Sequence, residues 1–256
     1  MSSLSTLKRG LDLLLLFDEH HPSLSVEEIA ERLDTPTSTA YRYLKTLKQQ
    51  GLIVKDGNSK HYKLGTRVIE LAHVARQRME VLDVAHPVMK DLADKTDETV
   101  FLAVPRDEKA TCIERIEGGH NLRFSFERGR SQYLHAGASA KAIMAFYPKA
   151  KRRKIIEQVG LPQITKNTPT REDQLETQLV EIREKGYALS TGEVDPGVRA
   201  VAGPIFSWEG EVIGSISLAG PVSRLKNRQK EKAIELIVSA SEEISERVSK
   251  YGFEEA

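Results

Sequence analysis

Apolar positions in the first third of the chain recur with a helical period. The run Leu4–Phe17 places Leu7, Leu11, Leu14 and Leu15 on one side of a helix that His20-His21-Pro22 breaks. Val26, Ile29, Ala30 and Leu33 then follow the i, i+3, i+4, i+7 rule. Ser25 and Glu28 are spaced as a capping box, in which a serine hydroxyl and a glutamate three residues on satisfy each other's backbone N–H groups. Thr35-Pro36 opens a third helix, with Pro36 read at its first position, and Gly51 is its natural stop. Two short β-prone runs, Leu52-Ile53-Val54 and Tyr62-Lys63-Leu64, flank Asp56-Gly57-Asn58-Ser59 and predict a hairpin. Helical spacing resumes from Thr66 to about Lys95, and Pro87 is expected to divide it into a linker helix and the first helix of a second domain. Beyond it the period alternates. Strands are predicted at 99–104, 111–117, 122–126, 187–190, 199–206 and 212–218, with helices at 139–146, 150–159, 171–185 and 223–250. The last helix carries Ala233, Leu236, Ile237, Ala240, Ile244 and Val248 on one stripe. The irregular order, with strands spaced as hairpins, points to an α+β fold around an antiparallel sheet.

Placed on a helical wheel, the third helix sorts cleanly. Ala40, Tyr43, Leu44 and Leu47 share one face and must be core. Ser38, Tyr41, Arg42, Lys45 and Gln49 share the opposite face, with Lys48 at its edge and no acid. Charge by segment adds to this picture. Residues 1–34 hold three basic residues against seven acids, net −4, whereas residues 35–65 hold six basic residues against Asp56 alone, net +5. The whole chain of 256 residues, with 38 basic and 37 acidic side chains, conceals that polarity. Two helices joined by a short turn, the second presenting basic and hydrogen-bonding groups, form a helix-turn-helix. The DNA major groove admits one such helix, whose side chains reach base edges while lysine and arginine neutralise phosphates. The candidate DNA contacts are Thr37, Ser38, Thr39, Tyr41, Arg42 and Lys45 on the helix. Asn58, Ser59 and Lys60 join them at the tip of the hairpin, which would act as a wing. A merely solvated basic face is the competing reading of the charge run.

Longer blocks carry a family likeness. LSVEEIAERL (24–33), STAYRYLKTL (38–47), GLI (51–53) and YKLG (62–65) occupy the first part. LHAGASAKAIMAF (134–146), GYALSTGEVDPGVRAVAGPIF (186–206) and GSISLAGP (214–221) occupy the second. Through these blocks the chain resembles, over almost its whole length, the isocitrate-lyase-regulator (IclR) family of bacterial transcription factors. The resemblance implies an N-terminal winged helix-turn-helix (1–65), a dimerising linker helix (66–86) and a C-terminal GAF-like antiparallel-sheet domain (87–256) that binds a small organic-acid effector. It places Ala138 and Ser139 where backbone amides hold effector in family members. Phe124, Ser190, Ala200 and Ser217 match other pocket-lining positions. Some relatives have an acid, a cysteine and a second serine where this chain has Ser190, Ala200 and Ala219, so this pocket is less polar.

The residues themselves leave two readings of the 135–141 turn: small side chains that open helix-terminal N–H groups to an anion, or small side chains that permit close packing. Arg199, after the turn signal Asp195-Pro196-Gly197, is read as an ion-pair partner of Glu193 in preference to a carboxylate ligand. Enzyme readings are thin. Gly137-Ala-Ser139-Ala-Lys141 lacks the second glycine of a nucleophile elbow, His135 lacks an orienting acid, and Cys112 lies in an apolar strand. No zinc-protease, phosphate-loop or dinucleotide fingerprint occurs, and His20-His21 has no partner ligand. No catalytic residue, metal or cofactor is expected. One cysteine rules out a disulfide framework within the chain. The leucine block at 13–17 is far too short to span a bilayer and lacks a cleavage site, so no membrane partner and a cytoplasmic location are expected. Val68, Leu71, Ala72 and Ala75 form a seam for a partner chain. A homodimer, or dimer of dimers, on a pseudo-palindromic operator is expected, with repression the expected sign. The alternative is a small-molecule-processing enzyme with an appended winged helix for protein contacts.

Overall fold

The computed structural model describes residues 3–18, 20–57, 59–76, 80–119 and 124–251; of residues 3–5, 72–76, 80, 250 and 251 it describes the backbone alone. The chain divides into two compact units, Met1–Arg78 and Met79–Ala256.

The first unit contains α1 (Ser3–Leu14), β1 (Leu24–Ser25), α2 (Val26–Arg32), α3 (Thr37–Gln49), β2 (Ile53–Lys55), β3 (His61–Leu64) and α4 (Thr66–Arg76). The strands form a three-stranded antiparallel sheet in the order β1-β3-β2, with Ile53 opposite Leu64 and Leu24 opposite Tyr62. The capping box at α2 is complete. The Glu28 amide donates to Ser25 Oγ at 3.2 Å, and the Ser25 amide donates to Glu28 Oε2 at 2.7 Å. Ser25→Ala is expected to destabilise this unit by about 1 kcal/mol, read as a lowered urea midpoint with an unchanged denaturant slope. Pro36 stands one position earlier than the sequence indicates: its ψ of 144° makes it the N-cap of α3, so Thr37 is the first helical residue.

The core of this unit gathers Leu13 and Phe17 with Leu24, Val26, Ile29, Leu33, Ala40, Leu44 and Ile53. The leucine stripe of the first helix faces the other way. Leu7, Leu11 and Leu15 are 62%, 53% and 73% exposed. Leu13 lies two residues, roughly 200° around a helix, from both Leu11 and Leu15. Anchoring through Leu13 therefore turns Leu7, Leu11 and Leu15 outward, while Leu14 and Leu16 pack at the edge of the core.

The second unit is a six-stranded, wholly antiparallel sheet. It comprises α5 (Glu80–Thr96), β4 (Thr99–Arg106), β5 (Lys109–Ile116), β6 (Ser131–Tyr133), α6 (Ala138–Met144), α7 (Lys149–Val159), α8 (Glu172–Lys185), β7 (Ala188–Thr191), β8 (Val198–Phe206), β9 (Val212–Pro221) and α9 (Arg228–Tyr251). The strand order is β6-β5-β4-β9-β8-β7. Side chains alternate across it as a pleat requires. Val100, Leu102, Val201, Ile216 and Leu218 meet the apolar faces of α5 and α9 on one side. Phe101, Ala103, Ala202 and Ala219 meet α6, α7 and α8 on the other. Gly203 lets β8 touch α9: a Cβ there would stand 2.4 Å from Ser241 Oγ. The α+β class, with a helix-turn-helix and small sheet followed by an antiparallel-sheet domain, is the architecture that the sequence reading anticipates.

Two expectations need correction. Pro87 does not divide a helix, because α5 runs through it. The proline removes one N–H, that directed to the Asp83 carbonyl, from the helical ladder. Burial of Val81, Leu82, Ala85, Val88, Met89 and Leu92 against the sheet outweighs that loss. The strand expected at 122–126 is likewise absent from its described part. Residues 122 and 123 lie outside the described residues, and Phe124–Phe126 is irregular, so the edge strand is Ser131–Tyr133 instead. The alternation that imitates a strand has another cause. Phe124 and Phe126 both fold onto Phe101, with ring centroids 5.4 and 5.9 Å away. Among the described residues no helix is long and apolar enough to cross a membrane.

Candidate nucleic-acid interface and ligand pocket

In α3 the wheel reading holds residue by residue. Ala40 and Leu44 are buried and Tyr43 and Leu47 half-buried, while Thr37, Ser38, Tyr41, Arg42, Lys45, Lys48 and Gln49 are exposed and Thr39 is half-buried. Arg42 and Lys45 form no ion pair among the described residues, so their charges are available to an external anion. At the hairpin tip, Asn58 lies outside the described residues. Lys60 is exposed. Ser59 is half-buried and holds the turn: its hydroxyl donates to the Asp56 carbonyl at 2.6 Å and accepts from the His61 amide at 3.1 Å. Lys63 is bound to Asp56 at 2.7 Å, which braces the hairpin. In α4, Val68 is half-buried and Leu71 exposed, whereas the Ala72 and Ala75 side chains lie outside the described residues.

The second unit has a partly open cavity of about 50 Å³ on the α6 side of the sheet. That is room for roughly three to five water-sized groups. Phe124, Ala138, Ser139, Ser190, Ala200 and Ser217 all line it. Gly137, from the small-residue turn, lines it as well, whereas sequence reasoning does not single out Phe101, Phe126, Gln132, Glu193, Val194, Asp195 and Val198 in the same wall. Gly137 is required where it stands: its φ is +82°, and a Cβ would meet the Val194 side chain at 3.0 Å.

Hydrogen bonds join the lining across the sheet and the helix start. Ser139 Oγ lies 2.7 Å from Ser217 Oγ, and Ser215 Oγ donates to the Ser139 carbonyl at 3.0 Å. The amides that begin the helix already have acceptors. Gly137 N–H donates to Glu193 Oε2 at 2.9 Å and Ala138 N–H to Ser190 Oγ at 3.1 Å. A ligand oxygen at Ala138 would therefore take the place of the Ser190 hydroxyl.

Behind this wall lies an ion pair that no local pattern in the chain signals. Lys141, 1% exposed, donates to Glu193 Oε1 at 2.6 Å and to Gln178 Oε1 at 2.8 Å. Burial pushes the Lys141 ammonium below the ordinary lysine range, and Glu193 opposes that shift. Glu193 thus ties a buried cation to the backbone of the pocket turn. It is not the partner of Arg199, as the sequence reading has it: Arg199 donates to Thr191 Oγ1 at 3.1 Å and to the Leu225 carbonyl at 2.6 Å. The strand pairing sets Arg199 opposite Thr191 and turns it away from Glu193.

The would-be catalytic groups are engaged structurally. His135 Nε2 lies 3.0 Å from the Pro162 carbonyl, and burial lowers its pKa. Burial also pushes the Cys112 thiol up to about 12, which removes its thiolate near neutral pH. Among the described residues no cluster of metal-ligating side chains occurs.

A winged helix with a basic, acid-free outer face, together with a separate domain holding a lined cavity, defines a ligand-responsive DNA-binding transcriptional regulator. Residues 6–57 match the IclR helix-turn-helix domain, and residues 73–246 match the bacterial transcriptional regulator IclR C-terminal domain. The chain belongs to the IclR family of transcriptional regulators, which are not enzymes. It is 31% identical to the HTH-type transcriptional repressor AllR of Escherichia coli, over 93% of this chain and 88% of that protein. An IclR transcriptional regulator from Alicyclobacillus acidocaldarius superposes with a TM-score of 0.83 at 28% identity, covering 98% of this chain and 99% of the other. An IclR homologue from Microbacterium hydrocarbonoxydans, complexed with 4-hydroxybenzoate, shares the fold with a TM-score of 0.81 at 24% identity, covering 96% and 99%.

Proposed function

We propose that this chain is a repressor that releases or retains its operator according to a small organic acid bound in the second unit. The observation that carries the reading is the convergence of six positions, dispersed from Phe124 to Ser217, on one cavity. The carboxylate would lie against Ser139 and Ser217, with the Ala138 amide freed from Ser190. An anion gains charge-assisted hydrogen bonds there without a buried cation of its own. Repression is carried over from the E. coli relative's name. The domains we assign are residues 1–65 for DNA, 66–86 for the link and 87–256 for effector, acting in the cytoplasm.

DNA would be read by Thr37, Ser38, Thr39, Tyr41, Arg42 and Lys45, with Asn58, Ser59 and Lys60 at the wing. A homodimer, or a dimer of dimers, would set two α3 helices on a pseudo-palindromic site. The exposed Leu7, Leu11, Leu15, Ile69 and Leu71 support such an assembly, since together they leave much apolar surface uncovered in one chain. Effector would shift the population of DNA-competent dimers by its differential affinity for the two states.

The test is selection from a random duplex pool, followed by anisotropy on the selected site at two salt concentrations. Arg42→Ala is expected to weaken that site by about 1–3 kcal/mol and relax selectivity at one position. Lys60→Ala is expected to weaken all sequences alike and to flatten the salt dependence. Parental selectivity in the Arg42→Ala, Lys45→Ala double variant would refute the assignment of α3.

A further inference from the structure

The charges around the cavity do not balance, and the imbalance bears on what the ligand carries besides its acid group. Two carboxylates line the wall, Glu193 and Asp195, and among the described residues no lysine, arginine or histidine does. Glu193 is neutralised from behind by Lys141 and by the Gly137 amide. Asp195 is not. Its two oxygens share one donor, the Ser125 amide, at 3.3 and 3.1 Å. Among the described residues no cationic nitrogen lies within 4.0 Å of them.

An ionised carboxylate offers about four acceptor positions, and the Ser125 amide is the one protein donor to those of the half-buried Asp195 among the described residues. Its position is fixed by the turn that follows, where the Val198 amide donates to the Asp195 carbonyl at 3.2 Å and Gly197 has a φ of +78°. The rings of Phe101, Phe124 and Phe126, with Val194 and Val198, supply much of the apolar wall. Low-polarity walls strengthen whatever charge the cavity retains.

We propose that Asp195 recognises a hydrogen-bond donor on the effector, which is therefore a small carboxylic acid that also bears an ammonium or hydroxyl group. This rests on the reading of the cavity as the effector pocket, with the ligand carboxylate at Ser139 and Ser217. A donor facing Asp195 gains a charge-assisted bond. A second carboxylate in that place meets an uncompensated like charge. A cavity so charged selects against dicarboxylic acids.

The test is calorimetry on the full chain with four acids that differ at one end only: propionate, 3-hydroxypropionate, β-alanine and malonate. One or both donor-bearing acids are expected to bind at least about tenfold more tightly than propionate, with malonate weakest. Asp195→Asn retains the Ser125 contact and removes the charge. It is expected to erase a preference for β-alanine, to retain part of a preference for 3-hydroxypropionate, and to strengthen malonate. The two kinds of donor are thereby told apart. Equal binding of propionate and the donor acids, malonate as the best ligand, or affinity ratios among the four acids unchanged in Asp195→Asn would each overturn the proposal. Ser139→Leu separates this failure from that of the pocket itself. If malonate binds best and Ser139→Leu abolishes it, the pocket stands and the role of Asp195 falls. If Ser139→Leu leaves acid binding intact, the pocket reading falls. If no acid of this series or of its homologues up to about six carbons binds, both readings fall.

Discussion

Lys141→Met is expected to cost the second unit about 3–5 kcal/mol, the usual penalty for removing one member of a buried ion pair. Methionine fills most of the volume of the lysine stem, so the loss is electrostatic. It leaves the Glu193 carboxylate, among the most buried acids in the structure, with the Gly137 amide as its remaining donor. The double variant Lys141→Met, Glu193→Gln is expected to recover most of the loss, since replacing both charges is often close to neutral. Calorimetric unfolding of the full chain separates the outcomes. A single variant within about 1 kcal/mol of the parent would mean that the acid is protonated or hydrated in the folded state.

Ser139→Leu is expected to reduce effector affinity by at least about two orders of magnitude, roughly 2.8 kcal/mol. The added carbons enter the cavity from the wall where the ligand carboxylate would rest, and they separate the Ser139–Ser217 hydroxyl pair. Overpacking would cost the fold about 1–3 kcal/mol, which a thermal melt of the variant reads separately from its affinity. Ser217→Ala is the milder companion, at about 1 kcal/mol for one neutral hydrogen bond. DNA affinity without effector should be unchanged in both. Parental effector affinity in Ser139→Leu would make the small-residue turn a packing device.

How much of the molecule is legible in its sequence follows the range of the interactions involved. The faces of α3 depend on spacing within one helix, so periodicity alone separates Ala40 and Leu44 from Arg42 and Lys45. The same holds for the buried stripe of α9. Residues of the pocket are far apart in the chain, and family likeness, not periodicity, picks them out. Lys141 marks the limit of local reading. In a run of small residues it resembles a surface lysine, and its partner Glu193 is 52 positions away. Arg199 escapes local reading for the same reason, because only the pairing of β7 with β8 determines which acid it can reach. Phe124 and Phe126 alternate as a strand does, yet their burial is fixed by a third ring, Phe101, on another element. Pro87 carries a strong local penalty that a long apolar face overrides.

The alternation along β4 has a mechanical consequence. Phe101 forms part of the cavity wall, while its neighbours Val100 and Leu102 belong to the core shared with α5. The core on the α5 side is closed over Val100 and Leu102, and close-packed interiors transmit displacement instead of absorbing it. A ligand that pushes Phe101 outward by a fraction of an ångström moves the same backbone that seats α5. From the cavity wall to the core that seats α5 is one pleat, through the thickness of the sheet. Trimming Val100 or Leu102 would loosen that seat.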